Sequence, residues 1–165
     1  PALPFLAQPS RLSLRKSSLE GIALESELHA ALLDQGPDAV IFAGTDGVIT
    51  YWNEAAERIF GHTVTAAMGQ NLDIIIPEQY RAAHWTGFDR ALAAGDTKYR
   101  GQSLATRSVR ADGAQIYVEL SFGIIKDAAG AAIGAIATAR DITERFNADR
   151  EMRRKLREFE KAAAG

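Results

Sequence analysis

The sequence predicts an α+β domain: a five-stranded antiparallel sheet with short helices and one long helix on one face, flanked by N- and C-terminal helices. Three observations predict it. Residues Ile116, Val118, Leu120, Phe122 and Ile124 alternate with Tyr117, Glu119, Ser121 and Gly123, a period of two with one strongly apolar face. Two short apolar runs, 39–43 and 48–52, surround Gly44-Thr45-Asp46-Gly47, a strong hairpin signal. The order is two strands, several helices, then three strands, which suits helices grouped on one face of an antiparallel sheet.

In order along the chain, residues 1–16 carry three prolines and no sustained periodicity, and are expected to form an extended arm. Ser17 or Ser18 offers an N-cap for a helix over 17–35, in which Leu19, Ile22, Leu28 and Leu32 recur at helical spacing before Gly36-Pro37. This amphipathic helix suits either covering the sheet or dimerisation. After the first hairpin, Asn53 caps a short helix containing Ala55, Ala56, Ile59 and Phe60, stopped by Gly61. Residues 63–76 read as short helical turns. A longer helix opens at Pro77-Glu78, where the proline fits the first turn and the carboxylate complements the helix dipole, and ends near Gly95. A loosely patterned strand covers 99–110, the alternating strand follows the Ala111-Asp112-Gly113 turn, and a small-residue strand covers 131–139. From Asp141 charged residues surround a thin stripe of Met152, Leu156, Phe159 and Ala163, which suits a two-helix seam. The expected division is an arm (1–16), a first helix (17–35), a domain (36–145) and a C-terminal signalling helix (146–165).

Composition narrows the function classes. The 165 residues suffice for one domain with helical additions. Hydrophobic residues are 47% and charged residues 24%, with a net charge of -2 and no basic block before the last helix, so nucleic-acid binding is not suggested. The chain has no cysteine, which excludes disulfides, thiolate metal sites, a cysteine nucleophile and a photoreceptor that traps flavin through a thiol. No apolar run approaches the ~20 residues of a membrane span, and no signal peptide is evident, so a cytoplasmic location is expected. No Ser-His-Asp or paired-carboxylate arrangement can be argued from spacing, and His29 and His62 read as surface residues; an enzyme is not expected.

The chemistry concentrates on the long helix. Tyr80, Ala83, His84, Gly87, Phe88, Ala91 and Leu92 fall near one helical stripe, which places His84 towards the core. An imidazole on an apolar helix face, with Gly87 leaving room for a flat ring, suits an axial ligand of haem iron. It also suits a core histidine bonded to a carbonyl.

Several motifs, in this order, resemble the PAS sensor family: Asp38-Ala39-Val40-Ile41, Thr45-Asp46-Gly47-Val48-Ile49, Trp52-Asn53-Glu54-Ala55-Ala56, Phe60-Gly61, Met68-Gly69-Gln70-Asn71-Leu72, Arg110-Ala111-Asp112-Gly113 and Arg140-Asp141-Ile142-Thr143-Glu144-Arg145. The resemblance covers about residues 34–145. It implies a sheet cupped around a cavity, and a terminal helix that passes a signal to an output domain or partner protein. Within the family the chain is most similar to the haem-binding PAS domains of oxygen-sensing kinases and haem-regulated phosphodiesterases, through Arg81-Ala82-Ala83-His84. That similarity implies haem b, with His84 as its axial iron ligand, Arg90 on a propionate, and a pocket lined by Phe88, Val118, Leu120 and Phe122. It also implies a distal arginine for bound oxygen, where an ungapped alignment places Leu104; Arg100 or Arg107 substitutes if the strand register shifts. With Leu104 there, carbon monoxide or nitric oxide becomes more plausible than oxygen, and Phe122 is bulkier than the expected aliphatic residue. The alternatives are a PAS dimerisation module whose pocket is empty or holds a small metabolite, with Arg90 in a surface ion pair, and a redox sensor holding FAD near Trp52 or Trp85. In each, homodimerisation through the flanking helices is expected.

Overall fold

The computed structural model describes the backbone of residues 11–163 and the side chains of residues 23–163. Helix α1 (Arg11–Asp34) precedes strands β1 (Ala39–Gly44) and β2 (Ile49–Trp52). Helices α2 (Glu54–Phe60) and α3 (Val64–Ala67), a 3₁₀ turn (Leu72–Ile74) and helix α4 (Glu78–Ala94) follow. Strands β3 (Leu104–Val109), β4 (Gln115–Lys126) and β5 (Ala132–Asp141) lead into helix α5 (Thr143–Ala163). The sheet order is β2-β1-β5-β4-β3, with every neighbouring pair antiparallel. The expected α+β fold with a five-stranded antiparallel sheet is therefore the observed one.

Turn chemistry sets the boundaries. Asp46 accepts from the Val48 amide within the β1–β2 turn, and Gly47 takes φ 75°, the left-handed region in which glycine carries no Cβ penalty. Asn53 accepts from Ala56 N at the start of α2, and Gly61 closes that helix in the left-handed conformation. Asp141 accepts from both the amide and the hydroxyl of Thr143 and so starts α5.

Residues paired across an antiparallel ladder share a face. The register Ile41↔Trp52, Ile41↔Ala137, Ala137↔Phe122 and Leu120↔Leu104 therefore puts these six residues on the inner face. Under it, Phe60, Ile75 and Ala67 pack with Ile41, Trp52 and Val118 in one buried cluster. This cluster lies beneath α2 and the 3₁₀ turn. Further along the same face, Leu104, Phe122, Ile124, Ala135 and Ala137 are only half-buried, although buried Phe88 and Ala91 of α4 lie outside that cluster.

Several boundaries differ from expectation. Helix α1 starts at Arg11, not at a Ser17 or Ser18 cap. No Gly or Pro separates Arg11 from Glu20, and Leu12, Leu14, Arg15 and Lys16 are good helix formers that carry the helix through the serines. The first ten residues of the expected arm lie outside the described residues. Strand β3 is shorter than 99–110, because Gln102 N closes a turn onto Tyr99 O before it begins. Helix α5 starts at Thr143, three residues before the expected signalling helix.

Candidate functional site

Helix α4 carries the candidate site. Its inward stripe is Arg81, His84, Trp85, Phe88, Ala91 and Leu92, all buried or half-buried. Tyr80, Ala83 and Gly87, assigned to the stripe from the sequence, are exposed. A Cβ at Gly87 would meet nothing within 4 Å, so this glycine does not make room on the core side. The shift occurs because Arg81 and Trp85 bury their apolar bodies while satisfying their polar tips locally. Arg81 donates through Nε to Ile76 O (3.2 Å) and through Nη2 to Asp73 O (3.0 Å), closing the carbonyls of the 3₁₀ segment. Trp85 Nε1 donates to Asp73 Oδ1 at 2.9 Å, and its ring lies over Gly47, where a Cβ would come within 2.2 Å of it.

His84 is wedged between its own helix neighbours. Its ring meets Trp85 edge-on at 4.9 Å and Phe88 at 5.9 Å with a 30° tilt. Nδ1 of His84 is buried with no hydrogen-bond partner. A core histidine bonded to a carbonyl through this nitrogen is therefore not what the structure contains. Burial pushes the imidazole pKa below its ordinary value, against an opposing pull from the Asp73 carboxylate. Burial thus favours the neutral ring, the form that offers a lone pair to a metal. Among the described residues no group of three or more His, Asp or Glu side chains converges to hold a free metal ion. A single neutral imidazole suits an iron whose other ligands come with a macrocycle, so the donor chemistry fits haem.

The strand residues named from the sequence come together on the sheet's inner face. Val118 is buried; Leu104, Leu120 and Phe122 are half-buried. Leu104 pairs with Leu120, and Phe122 meets Tyr99 edge-on at 6.0 Å. The register leaves no inward arginine on β3. Arg107 pairs with Tyr117, on the opposite face from Leu104 in register with Leu120, and donates to the hydroxyls of Tyr80 (3.1 Å) and Tyr117 (3.0 Å). Arg100 lies ahead of β3 and pairs with Asp96 at 3.2 Å. Neither therefore stands where the expected distal arginine would. Arg90 is exposed and makes no ion pair among the described residues.

His62 is half-buried rather than superficial. Its Nε2 lies 3.3 Å from Ile74 O, while Trp52 Nε1 donates to its carbonyl. Sequence reasoning also missed how much Asn53 does. Beyond capping α2, it accepts from Val40 N and donates to Leu33 O and Asp38 O, tying α1 to the sheet. The polar residue directly after an apolar strand end was the available signal.

A five-stranded antiparallel sheet in the order β2-β1-β5-β4-β3, with α2, α3, the 3₁₀ turn and α4 between β2 and β3, is the architecture of a PAS-type domain. Residues 33–147 match the family model described as the PAS fold, well over half of the chain, and the chain belongs to that family. It is 36% identical over 142 residues to an uncharacterised protein of Azorhizobium caulinodans, covering 86% of this chain and 19% of that protein. It is 31% identical over 130 residues to the sensor protein FixL of Bradyrhizobium diazoefficiens, covering 78% of this chain and 25% of FixL. It is 28% identical over 134 residues to the oxygen sensor protein DosP of Escherichia coli, covering 81% and 15%. The chain thus spans a quarter or less of the length of these relatives. Its fold resembles the crystal structure of a PAS domain from Colwellia psychrerythraea, with TM-score 0.63, 22% identity and coverage of 72% and 97%. It also resembles an RNA-binding light-oxygen-voltage receptor, with TM-score 0.63, 20% identity and coverage of 93% and 42%. No helix among the described residues is long and apolar enough to cross a membrane.

Proposed function

We propose that this chain is the sensory module of a larger cytoplasmic signalling protein, that it binds haem b through His84, and that it reports a diatomic gas to an output partner through α5. The observation that carries this reading is the orphaned, buried Nδ1 of a neutral imidazole on a helix that faces a half-covered apolar strand surface. The relation to an oxygen sensor protein supports the gas as input.

Bound haem would supply an iron able to take up a small gas. The chain's own residues do the rest. His84 would hold the iron, and Phe88, Leu104, Val118, Leu120 and Phe122 would exclude water from the ring. Arg90, exposed and free of other carboxylates, is available to a propionate. With Leu104 on the inner face and Arg100 and Arg107 engaged elsewhere, no charged donor reaches the gas, which favours carbon monoxide or nitric oxide over oxygen. The FAD reading has less support: Trp52 Nε1 is bonded to His62 O and Trp85 Nε1 to Asp73, so both indoles are committed to packing.

Residues 36–145 form the PAS unit in this reading, with 17–35 and 146–165 as the helices that join two copies. Leu24, Leu28 and Leu32 on α1, and Met152, Leu156 and Phe159 on α5, are exposed large apolar side chains, and such stripes are marginal on isolated helices without a partner.

Reduced protein expressed with ample haem supply tests the gas assignment. A Soret band that shifts with carbon monoxide, and oxygen affinity that rises in Leu104→Arg, are the expected results. A featureless visible spectrum would leave a PAS module with an empty or metabolite-filled pocket, and bands near those of oxidised flavin would transfer the cofactor assignment to FAD.

A further inference from the structure

We infer that Arg107 is a mechanical coupler: it ties helix α4 to the root of helix α5 around the free edge of the sheet, through two tyrosines. Tyr80 lies one turn before His84 on α4, and its hydroxyl accepts from Arg107 Nη1 at 3.1 Å. The same guanidinium donates through Nη2 to the Tyr117 hydroxyl at 3.0 Å. Its carbon sits 5.9 Å from the Tyr80 ring and 5.5 Å from the Tyr117 ring, so the cation is held between two aromatic groups.

Tyr117 in turn holds the start of α5 at three points. Its ring stacks on Phe146 at 3.7 Å and 16°. Its carbonyl accepts from Ile142 N at 2.9 Å, and its amide donates to Thr143 Oγ1 at 3.0 Å. Strand β3 is the edge strand next to β4, so a side chain pointing outward from it can reach α4 on one side and the outer face on the other. Arg107 has that position, and a planar guanidinium with several donors can serve two acceptors at once, which a lysine cannot do in the same plane.

A displacement of α4 moves Tyr80, and Arg107 must then follow Tyr80, follow Tyr117 or break one of its two bonds. Each course changes how firmly Tyr117 holds Phe146. The coupling is a property of the chain itself and holds whatever the inner face binds.

Hydrogen–deuterium exchange of the full chain, read at residues 143–150, tests it with Tyr80→Phe, Arg107→Gln and the double variant. Tyr80 touches no α5 residue in this chain of contacts, and its hydroxyl and the Arg107 side chain lie near the surface, so the fold tolerates both changes. The expected result is exchange about twofold to fivefold faster in this segment for Tyr80→Phe, the effect of one modest hydrogen bond, with no further increase when it is added to Arg107→Gln. Residues 39–52 serve as the control and remain unchanged. Should Arg107→Gln disturb that control, Tyr117→Phe takes its place in the cycle. An unchanged α5 segment in Tyr80→Phe, or additive effects in the double variant, would overturn the coupling.

Discussion

Asn53 is 1% exposed and joins three parts of the chain through four hydrogen bonds. Its Oδ1 accepts from Val40 N and Ala56 N, each at 2.9 Å, while Nδ2 donates to Leu33 O at 2.9 Å and Asp38 O at 3.0 Å. Asn53→Ala removes all four. Loss of the α2 cap costs ~1 kcal/mol. Stranding the Val40 amide within the sheet costs ~1–3 kcal/mol, and freeing two carbonyls adds roughly 1 kcal/mol. The expected total is about 3–5 kcal/mol, a large share of the ~5–15 kcal/mol that holds a typical domain together. Urea unfolding monitored by circular dichroism measures it, with an unchanged denaturant slope. Hydrogen exchange over residues 30–34 should also quicken, because the end of α1 loses its tie to Asn53. A stability change under about 1 kcal/mol would mean instead that the buried partners of a deleted side chain find others at no cost.

Other outcomes follow from the same geometry. Gly47→Ala puts a Cβ within 2.2 Å of the Trp85 ring at φ 75°; about 2 kcal/mol or more of destabilisation is expected, with red-shifted tryptophan emission as Trp85 leaves Asp73. Burial holds the folded-state pKa of His84 below 6.5. The unfolded chain therefore takes up the proton first, and the stability of the haem-free chain falls as pH drops below about 6.5. Urea midpoints at pH 7.5 and 5.5 should diverge less in His84→Gln than in the wild-type chain. Leu156→Glu combined with Phe159→Glu places charges on the exposed α5 stripe; the proposed joining of two copies through α5 predicts a dimer in sedimentation that this variant converts to monomer, and a wild-type monomer or an unchanged dimer would remove α5 as the interface.

Much of the fold is legible because it is local. The β4 alternation, the Asp46-Gly47 turn, and the Asn53 and Gly61 punctuation of α2 each declare themselves within a few residues, and the structure keeps them. What is not legible depends on contacts distant in sequence. The Asp38–Arg140 pair, with both nitrogen–oxygen distances at 2.8 Å, closes β1 against β5 across 102 residues. Arg107, a substitute distal arginine on sequence grounds, is carried to the outer face beside Tyr117 by β3 pairing. On α4 the hydrophobic stripe misleads by one position, because Arg81 and Trp85 read as polar and bulky yet bury their stems against the 3₁₀ segment. Type and spacing single out His84 as a candidate, but its unpartnered Nδ1 is visible only in three dimensions.

The most direct test of the haem assignment is an optical titration of haemin into the haem-free chain and its His84→Ala variant, followed by reduction. Haem binding through His84 predicts equimolar, saturable binding with a sharp Soret band in the wild-type chain, and loss of that band in a variant whose far-UV circular dichroism is unchanged. The same spectrum and stoichiometry in both proteins would remove His84 as the iron ligand, and no saturable binding in either would remove haem as the ligand of this domain.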